Sequence, residues 1–214
     1  SITNYNEELN VNINELAKNH NVTIFSKSHS PLTAIKYSES SIIEAIIMQS
    51  YPIEINPTKQ YIITCNPSNK ITQKKFINHL AYLTPPTTFI HLLANQLNNP
   101  IEGLSNIIYF IANKFKSSDI HISEKKGAQF KKNGHHQMTL PLPSKQVSPL
   151  IYAIKLTAKM DPSITKTPQD GAYQFNYDEI SLDIRAASLP TQQGEMLSLR
   201  LFDNHQNFVS LESL

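Results

Sequence analysis

Glycine is absent from the first 102 residues of this 214-residue chain, and all five glycines lie between Gly103 and Gly194. Because glycine supplies tight turns and positive φ angles, this absence predicts a first half rich in helices with longer connections. The later glycines are typical of hairpin turns. Their uneven distribution predicts two domains with different turn chemistry.

Other scarcities narrow the functional class. A net charge of +2 is too small to predict nucleic-acid or membrane binding through bulk electrostatics. The single cysteine, Cys65, excludes an internal disulfide and indicates a reducing compartment, and its apolar setting in QYIITC predicts a buried, inert thiol. No apolar run approaches the roughly 18 residues that cross a bilayer, and no signal peptide is visible. We therefore expect a soluble cytoplasmic protein, or a soluble part of one.

The first half has a mixed pattern of short apolar runs. It predicts helices at 4–18, 41–49 (with a capping box from Ser41 to Glu44) and 71–82, and strands at 22–25 and 60–65. The sequence TPPTT at 84–88 cannot lie inside a helix. We therefore predict a small α/β domain over residues 1–85 and a linker at 86–100 that contains a bridging helix at 88–98.

The second half combines two amphipathic helices with several strands. The pattern predicts helices at 101–116 and 145–160, a strand at 119–123, a hairpin at 128–140 and three strands within 171–202. Asn133-Gly134 suits the type I′ turn of the hairpin. This order is typical of an antiparallel sheet with helices on one side, so we predict an α+β domain over residues 101–205.

Arginine occurs only twice, at Arg185 and Arg200, among nineteen cationic residues. Apolar side chains occupy the alternate strand positions, Ile180, Leu182 and Ile184 around the first and Leu197, Leu199 and Leu201 around the second. Both guanidiniums are therefore predicted to point away from the core. A guanidinium binds phosphate or carboxylate with two hydrogen bonds, which lysine cannot do. From the residues alone the choice stays open between a phosphate site and structural ion pairs with Asp183, Asp203 or Glu195.

Five motifs in fixed order decide between these two uses. They are SDIHIS (118–123), FKKNG (130–134), PQDG (168–171), LDIRAASLPTQQGE (182–195) and LSLRLFD (197–203). Together they resemble the N-terminal half of the type II secretion and type IV pilus assembly ATPases. The resemblance implies that residues 101–205 form a PAS-like α+β domain and that residues 206–214 begin a linker to a RecA-like motor domain. The chain has no G-x-x-x-x-G-K-[ST] motif, so this segment alone is expected to be inactive and to bind no cofactor.

The same resemblance implies a role for each part of the chain. Arg185 and Arg200 would reach the phosphates of ATP that the motor domain holds with Mg²⁺, in a homo-hexamer. Residues 1–85 would dock onto the cytoplasmic domain of an inner-membrane platform protein, so the protein would be cytoplasmic and peripheral to that membrane. It would neither insert into the membrane nor bind nucleic acid, and cyclic-dinucleotide binding is disfavoured because arginine and glycine are absent before Gly103. The alternatives are a stand-alone adaptor without ATPase activity and a small-ligand sensor.

Four further polar residues invite a site hypothesis. His121 lies on a predicted strand, and the adjacent His135 and His136 would point to opposite faces of a sheet. We therefore expect structural or solvent-facing histidines and no metal site. Asp170 is predicted to be a turn residue that bonds its own backbone before Gly171.

Overall fold

The computed structural model describes residues 99–203 without a break and, before them, residue 18 and the segments 23–24, 39–48, 50–56, 59–64, 70–75, 80–83 and 86–95. The chain divides into two compact units, Ser1–Phe110 and Ile111–Leu214. The helix predicted at 4–18 and the residue Cys65 lie outside the described residues, apart from Lys18. The predicted domain boundaries at 85, 100 and 205 stay predictions.

The first unit contains a four-stranded mixed sheet. Its elements are β1 (Thr23–Ile24), α1 (Glu39–Met48), β2 (Ser50–Asn56), β3 (Lys59–Thr64), α2 (Lys70–Lys75), β4 (Leu80–Leu83) and α3 (Pro86–Asn95). The strand order is β1-β4-β3-β2, with β4 parallel to both β1 and β3 and β2 antiparallel to β3. Parallel strands joined through helices are the pattern of an α/β unit, as predicted.

Two predictions in the first unit are wrong. The helix predicted at 71–82 ends at Lys75, and Leu80–Leu83 form β4, where Tyr82 pairs with Ile63. Short apolar runs fit helical and strand spacing equally well, and long-range pairing with β1 and β3 decides between them. The capping box is also wrong, since α1 begins at Glu39, before Ser41.

Helix α4 (Pro100–Phe115) begins at a capped N-terminus, and the division between the two units falls inside it. The Asn99 Oδ1 atom accepts hydrogen bonds from the backbone N–H groups of Ile101 and Glu102, at 3.1 and 2.9 Å. These bonds satisfy two N–H groups that the first helical turn leaves free. Gly103 lies inside this helix and not in a turn. A Cβ atom there would lie 2.1 Å from the Ala94 carbonyl oxygen of α3, so a larger residue would clash with that helix.

The second unit contains a six-stranded sheet. Its elements are β5 (Asp119–Ser123), β6 (Gly127–Lys132), β7 (His135–Leu140), α5 (Ser144–Thr157), β8 (Gln169–Tyr177), β9 (Ile180–Thr191) and β10 (Gly194–Asp203). The strand order is β7-β6-β5-β10-β9-β8, and every neighbouring pair is antiparallel. The predicted α+β class is confirmed, and the PAS-like assignment stays a prediction.

The predicted hairpin is confirmed in detail. Strands β6 and β7 are joined at Asn133 and Gly134, whose φ angles are 50° and 81°. A type I′ turn requires positive φ at both central residues, and asparagine and glycine adopt that region at the lowest cost. The three strands predicted within 171–202 are β8, β9 and β10.

Strand alternation separates a buried face of this sheet from an open face. The buried face carries the apolar core, including Ile120, Ile122, Phe130, Leu182, Ile184, Leu197 and Leu199, each at most 4% exposed. Helix α5 contacts β5 and β10 and contributes Val147, Leu150, Ile151 and Ile154 to the core. The open face carries the alternate side chains, most of them polar or charged. The candidate site residues Arg185 and Arg200 lie on this open face.

Among the described helices, none is both long enough and apolar enough to span a membrane.

Candidate functional site

The register of β9 and β10 places the two arginines side by side. Arg200 lies directly opposite Arg185, although fifteen residues separate them in sequence. Both side chains are exposed on the open face, as the alternation predicted. Directly opposed residues in an antiparallel pair have Cβ atoms about 4.5–5.5 Å apart. The chain thus brings its two arginines to directly opposed positions on one face of the sheet.

A line of charges continues from this pair across the sheet. Arg200 is opposite Asp119 on β5, and Asp119 is opposite Lys131 on β6. We call Arg185, Arg200, Asp119 and Lys131 the charged row. Like charges directly opposite each other in a sheet are destabilising, so the two arginines need a counter-charge nearby. Asp119 supplies it.

Arg200 and Asp119 form an ion pair at the surface. The Arg200 Nε atom donates a hydrogen bond to Asp119 Oδ1 at 3.1 Å, and the side chains are 68% and 20% exposed, respectively. The other carboxylate oxygen, Oδ2, accepts a hydrogen bond of 2.7 Å from the Ser118 hydroxyl. Burial raises the pKa of Asp119, but these two hydrogen bonds and the positive charges of Arg200 and His121 outweigh burial and lower it below its ordinary value.

Arg185 is held by a different contact. Its guanidinium carbon lies 5.4 Å from the ring centroid of Phe202, within the range of a cation–π interaction. The two residues border a shallow groove of about 410 Å³, which is also lined by Ala172, Tyr173, Asp183 and Ile184. The phenyl ring contacts the guanidinium without using its N–H donors. Among the described residues, none accepts a hydrogen bond from Arg185, so its hydrogen-bonding fork is available on the open face.

The sequence left open ion pairs between the arginines and Asp183, Asp203 or Glu195, and the structure gives two of these carboxylates other partners. Asp183 accepts a hydrogen bond from Gln174 at 3.2 Å, and Glu195 pairs with Lys155 on the buried face. The side chain of Asp203 lies outside the described residues. The carboxylate that binds Arg200 is Asp119, which sequence reasoning did not single out as its partner. Asp119 belongs to the SDIHIS motif, but its pairing with Arg200 follows only from the register of β5 with β10.

The three candidate histidines, His121, His135 and His136, do not share a site. His121 is half-buried on the open face; burial lowers its pKa, Lys131 lowers it further, and Asp119 opposes them. His136 is exposed and its Nε2 atom lies 3.0 Å from the Thr139 hydroxyl, while His135 is exposed beside the hairpin turn. In the part of the chain that the structure describes, no three histidine, cysteine, aspartate or glutamate side chains form a group that could hold a metal ion.

The turn predicted at Asp170 is wrong. Asp170 and Gly171 lie within strand β8, and the Asp170 side chain is exposed. A Cβ atom on Gly171 would lie 2.2 Å from the carbonyl oxygen of Ala158, at the end of helix α5. Glycine therefore occupies this position because the helix end approaches the strand backbone closely.

Sequence reasoning also missed a buried ion pair. Lys155 of helix α5 is fully buried, and its Nζ atom donates hydrogen bonds to Glu195 Oε1 at 2.6 Å and to the Ile164 carbonyl at 2.7 Å. The Ser188 hydroxyl also donates to Glu195 Oε1. Lys155 lies in a helix of ordinary composition, so no feature of the sequence indicated that its side chain is buried.

Comparison with known proteins adds the family. Residues 94–214 match the family described as "Type II/IV secretion system protein". Relatives include the type II secretion system protein E of Dickeya dadantii and the type II secretion system ATPase E of Vibrio cholerae, each 32% identical over 126 residues. Those matches cover 58% of this chain and 25% of each relative. The protein transport protein HofB homolog of Haemophilus influenzae is 35% identical over 123 residues, which are 55% of this chain and 26% of that one.

Solved structures give weaker matches. The ATPase DotB of Legionella pneumophila matches with a TM-score of 0.34 and 14% identity, over 45% of this chain and 28% of that one. The pilus retraction motor PilT with bound ADP matches with a TM-score of 0.31 and 16% identity, over 44% and 27%. The chain spans about a quarter of the length of the curated relatives it matches. Since the family match covers more than half of the chain and includes both arginines, this chain belongs to the type II/IV secretion system protein family.

Proposed function

We propose that this chain is the N-terminal segment of an ATPase that powers type II protein secretion or type IV pilus assembly, and that Arg185 and Arg200 contact the phosphates of its nucleotide. The observation that carries the proposal is the cross-strand pairing of the two arginines, both exposed, on the open face. Membership of the secretion family supports the ATPase part. The motor domain would lie outside this chain, which spans about a quarter of its relatives.

The chemistry of phosphoryl transfer explains the use of arginine. Negative charge is spread over the phosphoryl oxygens in the transition state, and a fixed guanidinium stabilises it without a proton transfer. Two adjacent guanidiniums contact two phosphate groups, or two oxygens of one, while remaining charged at every physiological pH. Domain closure would bring the open face onto the nucleotide. The rate would then depend on that closure.

The residues present fit the phosphates of ATP but not its metal ion. Guanidinium groups have only donors and cannot ligate Mg²⁺, whose preferred ligands are oxygens. The one carboxylate of the charged row, Asp119, already accepts hydrogen bonds at both oxygens. We therefore assign Mg²⁺ binding to residues other than the charged row.

The remaining parts of the proposal concern assembly. The whole protein would form a homo-hexamer, in the cytoplasm and peripheral to the inner membrane, and residues 1–85 would dock onto the cytoplasmic domain of a platform protein. Helix α1 is a candidate docking element, since Ile43 and Ile46 are 6% exposed while Ile47 on the same helix is 36% exposed. Retention of residues 1–100 by immobilised cytoplasmic domains of platform proteins tests this docking. Absence of binding to every such domain would contradict it.

The experiment for the central proposal uses the full-length product of the parent gene. A double Arg185→Lys and Arg200→Lys variant keeps both charges but loses both forks, so we expect turnover to fall by about 10²-fold or more. The measurement is steady-state ATP hydrolysis, with exposed Lys145→Arg on helix α5 as the control for a surface charge swap. Wild-type turnover in the double variant would contradict the proposal. A parent reading frame without a P-loop motif would instead favour the stand-alone adaptor.

A further inference from the structure

The two arginines differ in how the protein holds them. Arg200 is anchored to a carboxylate on the next strand, whereas Arg185 lies against an aromatic ring. We propose that Asp119 is a positioning residue, which fixes Arg200 through Nε so that its two terminal nitrogens are presented, already oriented, to a phosphate group. This inference rests on the proposed function, because it assigns a role in phosphate binding to a residue that does not itself contact the phosphate.

The geometry of the Arg200–Asp119 contact leaves the binding end of Arg200 free. Among the described residues, Nε is the only guanidinium nitrogen of Arg200 that donates a hydrogen bond. The arginine side chain is 68% exposed and the aspartate 20% exposed, so the guanidinium is the more accessible partner of the pair. The terminal Nη1 and Nη2 groups can then donate two parallel hydrogen bonds to a phosphate.

Asp119 is itself held from the other side. Its Oδ2 atom accepts a hydrogen bond from the Ser118 hydroxyl at 2.7 Å. The Ser118 Oγ atom in turn accepts a hydrogen bond from the backbone N–H of Asn133, at 3.0 Å, in the turn between β6 and β7. With both oxygens bonded, rotation of the carboxylate is restricted. Through Ser118 and Asp119, a chain of hydrogen bonds links the β6–β7 turn to Arg200.

Fixing Arg200 before the phosphate arrives favours binding. An exposed arginine loses side-chain entropy when a ligand immobilises it, and an anchored arginine has already lost part of that entropy on folding. The Asp119 charge has the opposite effect, since a carboxylate weakens the attraction of the row for an anion. At Arg200 the gain from orientation outweighs the loss from the opposing charge. A pair of variants can separate the two effects.

The small number of arginines makes a direct experiment possible. Since the chain contains only Arg185 and Arg200, its ¹⁵N–¹H spectrum has two arginine Nε–H signals. In the wild-type 214-residue chain we expect the Arg200 signal to exchange slowly with water and the Arg185 signal to exchange fast. Titration with inorganic tripolyphosphate, the probe that mimics the nucleotide phosphates, should shift both signals and give a dissociation constant.

Three variants then test the role of Asp119. Asp119→Ala removes both anchor and charge, so the Arg200 signal should become as mobile as that of Arg185 and tripolyphosphate affinity should fall about threefold to tenfold. Asp119→Asn removes the charge but keeps an oxygen acceptor for Nε, so it should keep the slow signal and bind at least as tightly as wild type. Asp183→Ala removes one negative charge from the same face without touching Arg200, so it should not weaken binding. An unchanged backbone spectrum verifies folding of each variant.

The outcomes that overturn the inference are distinct. Equal or tighter tripolyphosphate binding by Asp119→Ala would show that the carboxylate acts only as a competing charge. A wild-type Arg200 signal that is already mobile, or that does not move with tripolyphosphate, would also overturn it. These measurements need no motor domain. Retained turnover of the double Arg→Lys variant would therefore remove the proposed function while leaving the anchoring result in place.

Discussion

On each face of the six-stranded sheet, a carboxylate of a strand pairs with a cation. On the buried face, Lys155 has a fully buried side chain and Glu195 is 12% exposed, with 2.6 Å between Nζ and Oε1. On the open face, Arg200 is 68% exposed and Asp119 is 20% exposed, with 3.1 Å between Nε and Oδ1. The same kind of pair therefore occurs in two different dielectric environments.

The two environments suit the two pairs to different roles, the buried pair to stabilising the fold and the exposed pair to binding a ligand. The Lys155 ammonium donates to Glu195 and to the Ile164 carbonyl, which ties helix α5 to the β9–β10 hairpin and to the segment that follows the helix. A charge inside the protein cannot lose its partner without a large cost. An exposed pair contributes little to stability, so Arg200 is free to exchange water for phosphate oxygens.

The largest expected effect comes from breaking the buried pair. Lys155→Met keeps the length of the side chain but leaves the Glu195 carboxylate without its cation, so we expect the free energy of unfolding to fall by about 3 kcal/mol. Because the chain lacks tryptophan, urea unfolding followed by circular dichroism is the measurement. The double variant with Glu195→Gln should recover part of the loss, with a coupling of at least about 1 kcal/mol. If Lys155→Met alone were as stable as wild type, the buried ion pair would contribute no more to stability than the exposed one.

A second prediction compares neighbours in β8 whose side chains point to opposite faces. Gly171→Ala places a Cβ atom 2.2 Å from the Ala158 carbonyl oxygen, so helix α5 or the strand must move, and we expect a loss of about 2 kcal/mol. Asp170→Ala, on the open face, should change the unfolding free energy by less than about 0.5 kcal/mol. Similar effects of the two substitutions in the same urea experiment would contradict the close approach of the helix end.

A third prediction repeats the first substitution type on the open face. Arg200→Met removes the exposed cation, and we expect a loss of stability below about 1 kcal/mol, because water already screens this pair. Comparison of this stability loss with that of Lys155→Met gives the relative contributions of an exposed and a buried ion pair to the free energy of unfolding. A loss as large as that of Lys155→Met would mean that Arg200 is a structural residue, and the proposed role in phosphate binding would lose its support.

The smallest expected effect is a pH dependence on the open face. Burial lowers the pKa of His121, and Lys131 lowers it further against the opposing charge of Asp119. The unfolded chain therefore binds a proton at higher pH than the folded chain does. The stability that neutral His121 contributes is fully present above the unfolded pKa of about 6.5 and is lost as the pH falls below it.

The comparison of wild type with His121→Gln isolates this contribution. Unfolding free energies at about pH 7.5 and about pH 5.5 should show a larger decrease for wild type than for the variant. The remaining seven histidines are common to both proteins and cancel in the difference. An equal decrease in both would show that His121 titrates alike in the folded and unfolded chains.

Sequence patterns predicted helix α4 and the second unit well because their segments are long and strongly periodic. The helix at 101–116, the strand at 119–123 and the hairpin at Asn133-Gly134 all appear within one or two residues of their predicted bounds. The first unit was harder because its apolar runs are short. Leu80–Leu83 fit a helix or a strand until the partner strands are known.

Some features of the candidate site could likewise be predicted from the sequence, and others could not. The alternation of apolar and polar residues determined that Arg185 and Arg200 face away from the core, since side chains in a strand alternate between its two faces. Their side-by-side position, the anchoring of Arg200 by Asp119 and the burial of Lys155 against Glu195 depend on strand register and helix packing. The family, the α+β class and the direction of the arginine side chains could be inferred from the sequence alone, because these features depend on local periodicity and motifs. Which charges meet depends on the tertiary structure, because the partner residues lie up to 81 positions apart in the sequence and no local pattern predicts their contact.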